Sequence, residues 1–122
     1  MTQRDPRAHL PLPPHDFHIL LSTLEDARHG YAIIQDIATR TDGETRLGTS
    51  TLYAALKRLG RDGLIGEAGR PADEVSGDER RRYFRATALG RAVASEEARR
   101  LARLHALAVE ARLTESPSRG RR

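Results

Sequence analysis

Thr51-Leu52-Tyr53-Ala54-Ala55-Leu56-Lys57-Arg58-Leu59 lies at the centre of a stretch, His29 to Thr87, whose reading decides the fold. At about 100° per residue, Leu52, Ala55, Leu56 and Leu59 fall on one side of a helix, the i, i+3, i+4, i+7 spacing of a core-facing stripe. The opposite side carries Ser50, Ala54, Lys57 and Arg61, flanked by Thr51, Tyr53 and Arg58, with no carboxylate before Asp62. A helix with a leucine back and a cationic, hydroxyl-bearing front suits a DNA major groove. Packing sets its angle, and cations and hydroxyls meet phosphates and base edges. The pattern alone also describes an amphipathic helix with a basic solvent face.

The residues C-terminal to this helix narrow the choice. Gly63 stands where a helix C′ glycine is expected, and Leu64-Ile65 opens a strand. A loop rich in Gly, Pro, Asp and Ser runs from Gly69 to Asp78, and Arg80-Arg81-Arg82-Tyr83-Phe84-Arg85-Ala86 reads as the returning strand. Helix, strand, polar loop and basic strand is the order of a winged helix-turn-helix: mainly α, with a small β-hairpin wing. Alternation puts Phe84 and Ala86 on one strand face and Tyr83 and Arg85 on the other, with Phe84 inward. Arg80, Arg81 and Arg82 then lie near the hairpin tip, placed for a minor groove or its phosphates. Asp73, Glu74, Asp78 and Glu79 must point away from DNA for this to hold.

His29-Gly30-Tyr31, Thr51-Leu52-Tyr53, Arg58-Leu59, Gly63-Leu64-Ile65 and Arg82-Tyr83-Phe84-Arg85-Ala86-Thr87 with Gly90 resemble the PadR-like transcriptional regulators over about residues 15–110. The family often has Gly before the TLY triplet, where this chain has Ser50, and Pro after it, where this chain has Ala54. The resemblance implies a homodimeric DNA-binding regulator. It places Tyr31 where the start of the second helix approaches the DNA backbone, although a tyrosine wedged between helices reads equally well. It also adds a small-molecule effector, bound between subunits, as a candidate partner. With five aromatics and no Trp, a stacking pocket is poorly supported, and any such site must be built from the first and last helices.

At 122 residues the chain has room for one domain with a modest core. There is no cysteine, hence no disulfide and no thiolate zinc site. No apolar run approaches membrane-spanning length and the start lacks a signal-peptide core, so a cytoplasmic protein is expected, with no membrane partner. The net charge of +4 is unevenly spread: residues 1–75 hold nine basic against eleven acidic residues, and residues 76–122 hold twelve against six. A basic second half fits a polyanion.

Residues 1–13, with three prolines and no period, read as a flexible N-terminal arm. Residues 14–87 form the winged domain. Its first helix, about 14–27, carries Phe17, Leu20, Leu21 and Leu24 on one face, widened by Ile19. His15 and His18 lie one turn apart, but without a third ligand no metal is expected. A second helix runs from about Gly30 to Thr39, with Ile33, Ile34, Ile37 and Ala38 inward, and ends at Asp42-Gly43. Glu44–Leu47 is a candidate third strand, and Gly48 or Thr49 caps the reading helix. Thr87 caps a last helix reaching about Leu113. On that helix Leu89, Val93, Leu101, Leu104, Leu107, Ala108 and Ala111 form a seam with near-heptad spacing. A seam this long calls for a second chain, or for the helix to fold back on its own domain. Residues 88–113 are thus assigned to dimerisation and 114–122 to a disordered tail. The dimer interface is expected at Phe17, Leu20, Leu21, Leu24, Val93, Leu101, Leu104, Leu107 and Ala108.

Nothing resembles an enzyme: there is no GxSxG, phosphate-cradling glycine loop or His–carboxylate pair at helical spacing within one expected helix, and no cofactor is implied. The expected function is a homodimeric, sequence-specific regulator, a repressor, on double-stranded DNA carrying an inverted-repeat operator. Its contacts are Tyr31, Thr49, Ser50, Thr51, Tyr53, Lys57, Arg58, Arg61, Arg80, Arg81 and Arg82. The alternative is a winged-helix protein–protein module that turns the same basic face to an acidic partner.

Overall fold

A computed structural model describes residues 5–69 and 81–117. A 3₁₀ turn (Pro6–His9) precedes α1 (Pro14–Ser22), β1 (Arg28–His29), α2 (Gly30–Arg40), α3 (Thr49–Arg61), β2 (Ile65–Ala68), β3 (Tyr83–Ala86) and α4 (Ala88–Glu110). The strands form one antiparallel sheet in the order β1-β3-β2, with Glu67 opposite Phe84 and His29 opposite Tyr83. Leu52, Ala55, Leu56 and Leu59 are all buried, as their spacing requires. They meet Ile19 and Leu20 of α1, Ile33 and Ile37 of α2, Leu64, Phe84 and Val93 in one apolar core. Among the described residues no helix is long and apolar enough to cross a membrane.

Helix ends are closed by local chemistry. After α3, the Leu64 N–H donates to the Leu59 carbonyl (2.9 Å) and the Gly63 N–H to the Gly60 carbonyl (3.1 Å). That 6→1 and 5→2 pair needs a left-handed residue at Gly63 (φ 78°), where glycine carries no Cβ penalty. Thr87 joins the hairpin to α4. Its hydroxyl accepts from the Gly90 N–H (3.0 Å) as N-cap and donates to the Gly63 carbonyl (2.7 Å), and its own N–H donates to the Leu64 carbonyl (3.0 Å). A Cβ at Gly90 would collide with the Leu64 carbonyl oxygen. The first turn of α4 therefore lies directly on the chain leaving α3.

The structure corrects four expectations. The first helix ends at Ser22, not near residue 27, because the Thr23 hydroxyl donates to the Ile19 carbonyl (2.9 Å) and the Thr23 carbonyl accepts from Ala86 of β3 (3.0 Å). The third strand is Arg28–His29, not Glu44–Leu47. Thr45 is instead held by the Thr41 hydroxyl (3.0 Å), and Leu47 drops into the core. Tyr83 is not outward. β3 is the central strand, so the His29 ring on its neighbour covers Tyr83 edge-on, with centroids 5.4 Å apart. Finally, the described part of the expected N-terminal arm is packed. Asp5 caps the 3₁₀ turn, Leu10 rests on the core, and Leu12 is buried.

A buried carboxylate holds that segment to α4. Glu97 accepts the Leu12 N–H (3.4 Å) and two N–H groups of Arg100 (2.9 and 2.7 Å). The Arg100 fork, aided by the Leu12 amide, holds its carboxyl below the ordinary 4.5 although burial opposes this. A depressed folded pKa contributes stability above the unfolded value and loses it as pH falls through the folded one. The difference in unfolding free energy between the wild type and Glu97→Gln is therefore expected to be largest near neutrality. It shrinks as pH drops below 4.5, measured by urea denaturation across pH. By the same assay at neutral pH, Gly90→Ala should cost about 1–3 kcal/mol, as overpacking against backbone does.

Candidate nucleic-acid interface

The outer face of α3 is open. Thr49, Ser50, Thr51, Ala54, Lys57 and Arg61 are exposed, and Tyr53 is 42% exposed. The N-cap is Gly48, with no side-chain cap, so the first amides of the helix have no intrahelical acceptor and remain donors for an anion. No carboxylate among the described residues pairs with Lys57, and Arg61 has only a loose, exposed approach to Asp62 at 3.7 Å. Between α3 and the hairpin runs a cleft. One part, of about 410 Å³, is lined by Tyr53, Leu56, Lys57, Arg82 and Phe84. It continues for about 380 Å³ past Gly60, Arg61, Ile65, Gly66 and Glu67.

The start of α2 adjoins this face. His29 is its N-cap, with ring Nδ1 accepting from the Ala32 N–H (3.2 Å), and Arg81 Nη1 stands 3.2 Å from Nε2. A Cβ on Gly30 would strike the Tyr53 hydroxyl, so the glycine of one sequence triplet is the seat of the tyrosine of the other. Tyr31 is 65% exposed, which settles its reading against a core tyrosine. Sequence reasoning assigned no role to His29 or Gly30. Their signal was present in the HGY triplet, but a histidine at an N-cap is outside the usual Ser, Thr, Asp and Asn set.

Other expected contacts fall differently. Arg58 turns back to α1, where its Nη2 lies 2.5 Å from Asp16 Oδ1. Asp16 is buried, so this guanidinium, its side chain still 43% exposed, holds α3 to α1. Arg82 is exposed but forked to Glu67 (3.0 and 2.6 Å) and lies 5.3 Å from the centroid of the Phe84 ring. The Glu67 hydrogen bond raises its pKa further. Arg81 is exposed, and Arg80 lies outside the described residues, as do Asp73, Glu74, Asp78 and Glu79. At the expected dimer face, Leu20 and Val93 are fully buried inside the subunit and are removed from it. Phe17, Leu21, Leu24 and Ala108 are partly buried, whereas Leu101, Leu104 and Leu107 are exposed along α4.

Residues 19–96 match the model of the PadR-like family of transcriptional regulators. The chain belongs to that family. PadR-like proteins are DNA-binding regulators, not enzymes, and the winged-helix architecture is theirs. An uncharacterised protein from Lysinibacillus sphaericus is 41% identical over 81 residues, covering 66% of this chain and 72% of its own. A transcriptional regulator from Clostridium thermocellum superposes with a TM-score of 0.64 at 27% identity, covering 78% of this chain and 86% of its own. A PadR family transcription regulator from Clostridium difficile has the same fold, with a TM-score of 0.64 at 23% identity over 78% of this chain and 94% of its own.

In this PadR-like chain the contact of Gly30 with Tyr53 should be measurable as a coupling. Gly30→Ala displaces the tyrosine, and in a Tyr53→Ala background the added methyl has room. A double-mutant cycle in unfolding free energy should return an interaction of about 0.5–2 kcal/mol. Additivity would mean that the ring does not sit there.

Proposed function

We propose that this PadR-like regulator binds double-stranded DNA as a two-fold homodimer, laying α3 of each subunit into the major groove of an inverted-repeat operator and acting as a repressor by occupancy. The observation that carries the reading is the division of α3. Its leucine side is consumed by the core, and its other side presents Ser50, Tyr53, Lys57 and Arg61 to solvent. Thr49, Ser50 and Thr51 add uncapped amides at the helix start, where the macrodipole favours phosphate. Tyr31 at the start of α2, together with Arg81 and Arg82 on the hairpin, extends the same cationic surface. Arg58 acts in positioning.

Dimerisation is supported by α4. Its first half packs into the subunit, but Leu101, Leu104 and Leu107 are 39%, 48% and 59% exposed, and Leu101 and Leu104 with the partly buried Ala108 keep the 3-then-4 step of a heptad seam. A second chain covering this seam would set the two reading helices about one helical turn of DNA apart. An effector bound where α1 meets α4 would act by changing that spacing.

Mobility shifts with short random duplex test the reading first. The wild type should bind weakly and salt-sensitively, and Lys57→Ala should flatten the slope of log K against log salt by about 0.9. Arg58→Ala should lower stability more than the salt slope. For the dimer, Leu104→Glu is expected to yield monomers by sedimentation velocity and to lose operator affinity at fixed subunit concentration.

A further inference from the structure

Lys57 is the single lysine in a chain with 21 lysine and arginine residues, and there is no cysteine. A guanidinium stays protonated throughout the accessible pH range, whereas the neutral form of an amine is a nucleophile. Reagents that acylate amines therefore find one side-chain target, and α3 holds it exposed at the lip shared by both parts of the cleft. Leu56, Phe84 and Arg82 line both parts with it, and Arg61 lines the second. Arg82 is partnered by Glu67, but both side chains are exposed, and such a pair gives way to a competing anion at little cost.

We propose that Lys57 is an acylation site served by acyl phosphates, with Arg61 and Arg82 holding the phosphate while the amine takes the acyl group. The Nζ lone pair attacks the carbonyl carbon and an N–C bond forms. The C–O bond to phosphate breaks, inorganic phosphate leaves, and the amine proton passes to water. The product is a neutral amide with added bulk at the middle of the outer face of α3. Resting on the proposed DNA-binding role, this modification silences the regulator: it removes a charge and a donor from the groove face in one step.

The full chain treated with acetyl phosphate should gain one side-chain acetyl group. It is read by mass spectrometry in the tryptic peptide Leu47–Arg58, where cleavage after Lys57 is blocked. Arg61→Gln combined with Arg82→Gln should slow acetylation by acetyl phosphate several-fold while leaving acetylation by neutral acetic anhydride unchanged. The acetylated protein should bind short random duplex about tenfold more weakly, whereas Lys57→Arg carried through the same treatment keeps its affinity. Recovery of Lys57 unmodified, equal acetyl phosphate rates with and without the two arginines, or unchanged duplex binding after modification would each overturn the proposal. Untreated protein that fails to bind duplex at all would overturn the DNA reading and the silencing with it, while the acylation rates still judge the site itself.

Discussion

The burial of one side of α3 is the constraint on which the remaining geometry depends. Leu52, Ala55, Leu56 and Leu59 lock into a core shared with α1, α2 and the hairpin, and that contact fixes which residues are left outside. Two devices hold the rotation of the helix. In its last turn the Asp16–Arg58 pair ties it to α1. Just beyond it, the Gly63 and Leu64 N–H groups donate to its last carbonyls, and their own carbonyls accept from Thr87 at the start of α4, beside the close approach at Gly90. A helix set this firmly can present a fixed pattern of Ser50, Tyr53, Lys57 and Arg61, which recognition requires.

Charge follows the same logic. The cations divide into two groups once the fold is formed. Arg58 and Arg100 are each committed to a buried carboxylate, which removing the arginine would leave without a counter-charge. Lys57 and Arg61 stay at the surface, with Arg82 held in place by Glu67. Net charge alone could not have separated these roles, because it counts a structural guanidinium and a solvent-facing one alike.

Much of the fold was legible because its signals are local. The apolar spacing of α3, Gly63 after it, Thr87 before α4 and the run from Tyr83 to Ala86 are each written in adjacent residues. The misjudged features are tertiary. Nothing near Arg28–His29 marks two residues as an edge strand; they pair because β3 lies alongside. Tyr83 is buried because its strand is central, and strand order cannot be read from alternation. Leu12 looked like part of a mobile arm because its partners, Glu97 and the core, are distant in sequence. Arg58 sat on the flank of the reading face, and only Asp16, 42 residues away, decides which way it turns. Leu20 and Val93 were apolar for the subunit's own core, which exhausted them before any partner could use them.

The most direct measurement is an amide chemical-shift titration of labelled full-length protein with short duplex DNA. The largest changes should fall on the outer face of α3, at Ser50, Tyr53, Lys57 and Arg61, and at Tyr31. The buried Leu52, Leu56 and Leu59 should report only indirectly. Changes confined to α4, or to the Arg58 side of α3 where it meets α1, would contradict the assignment of this face to DNA.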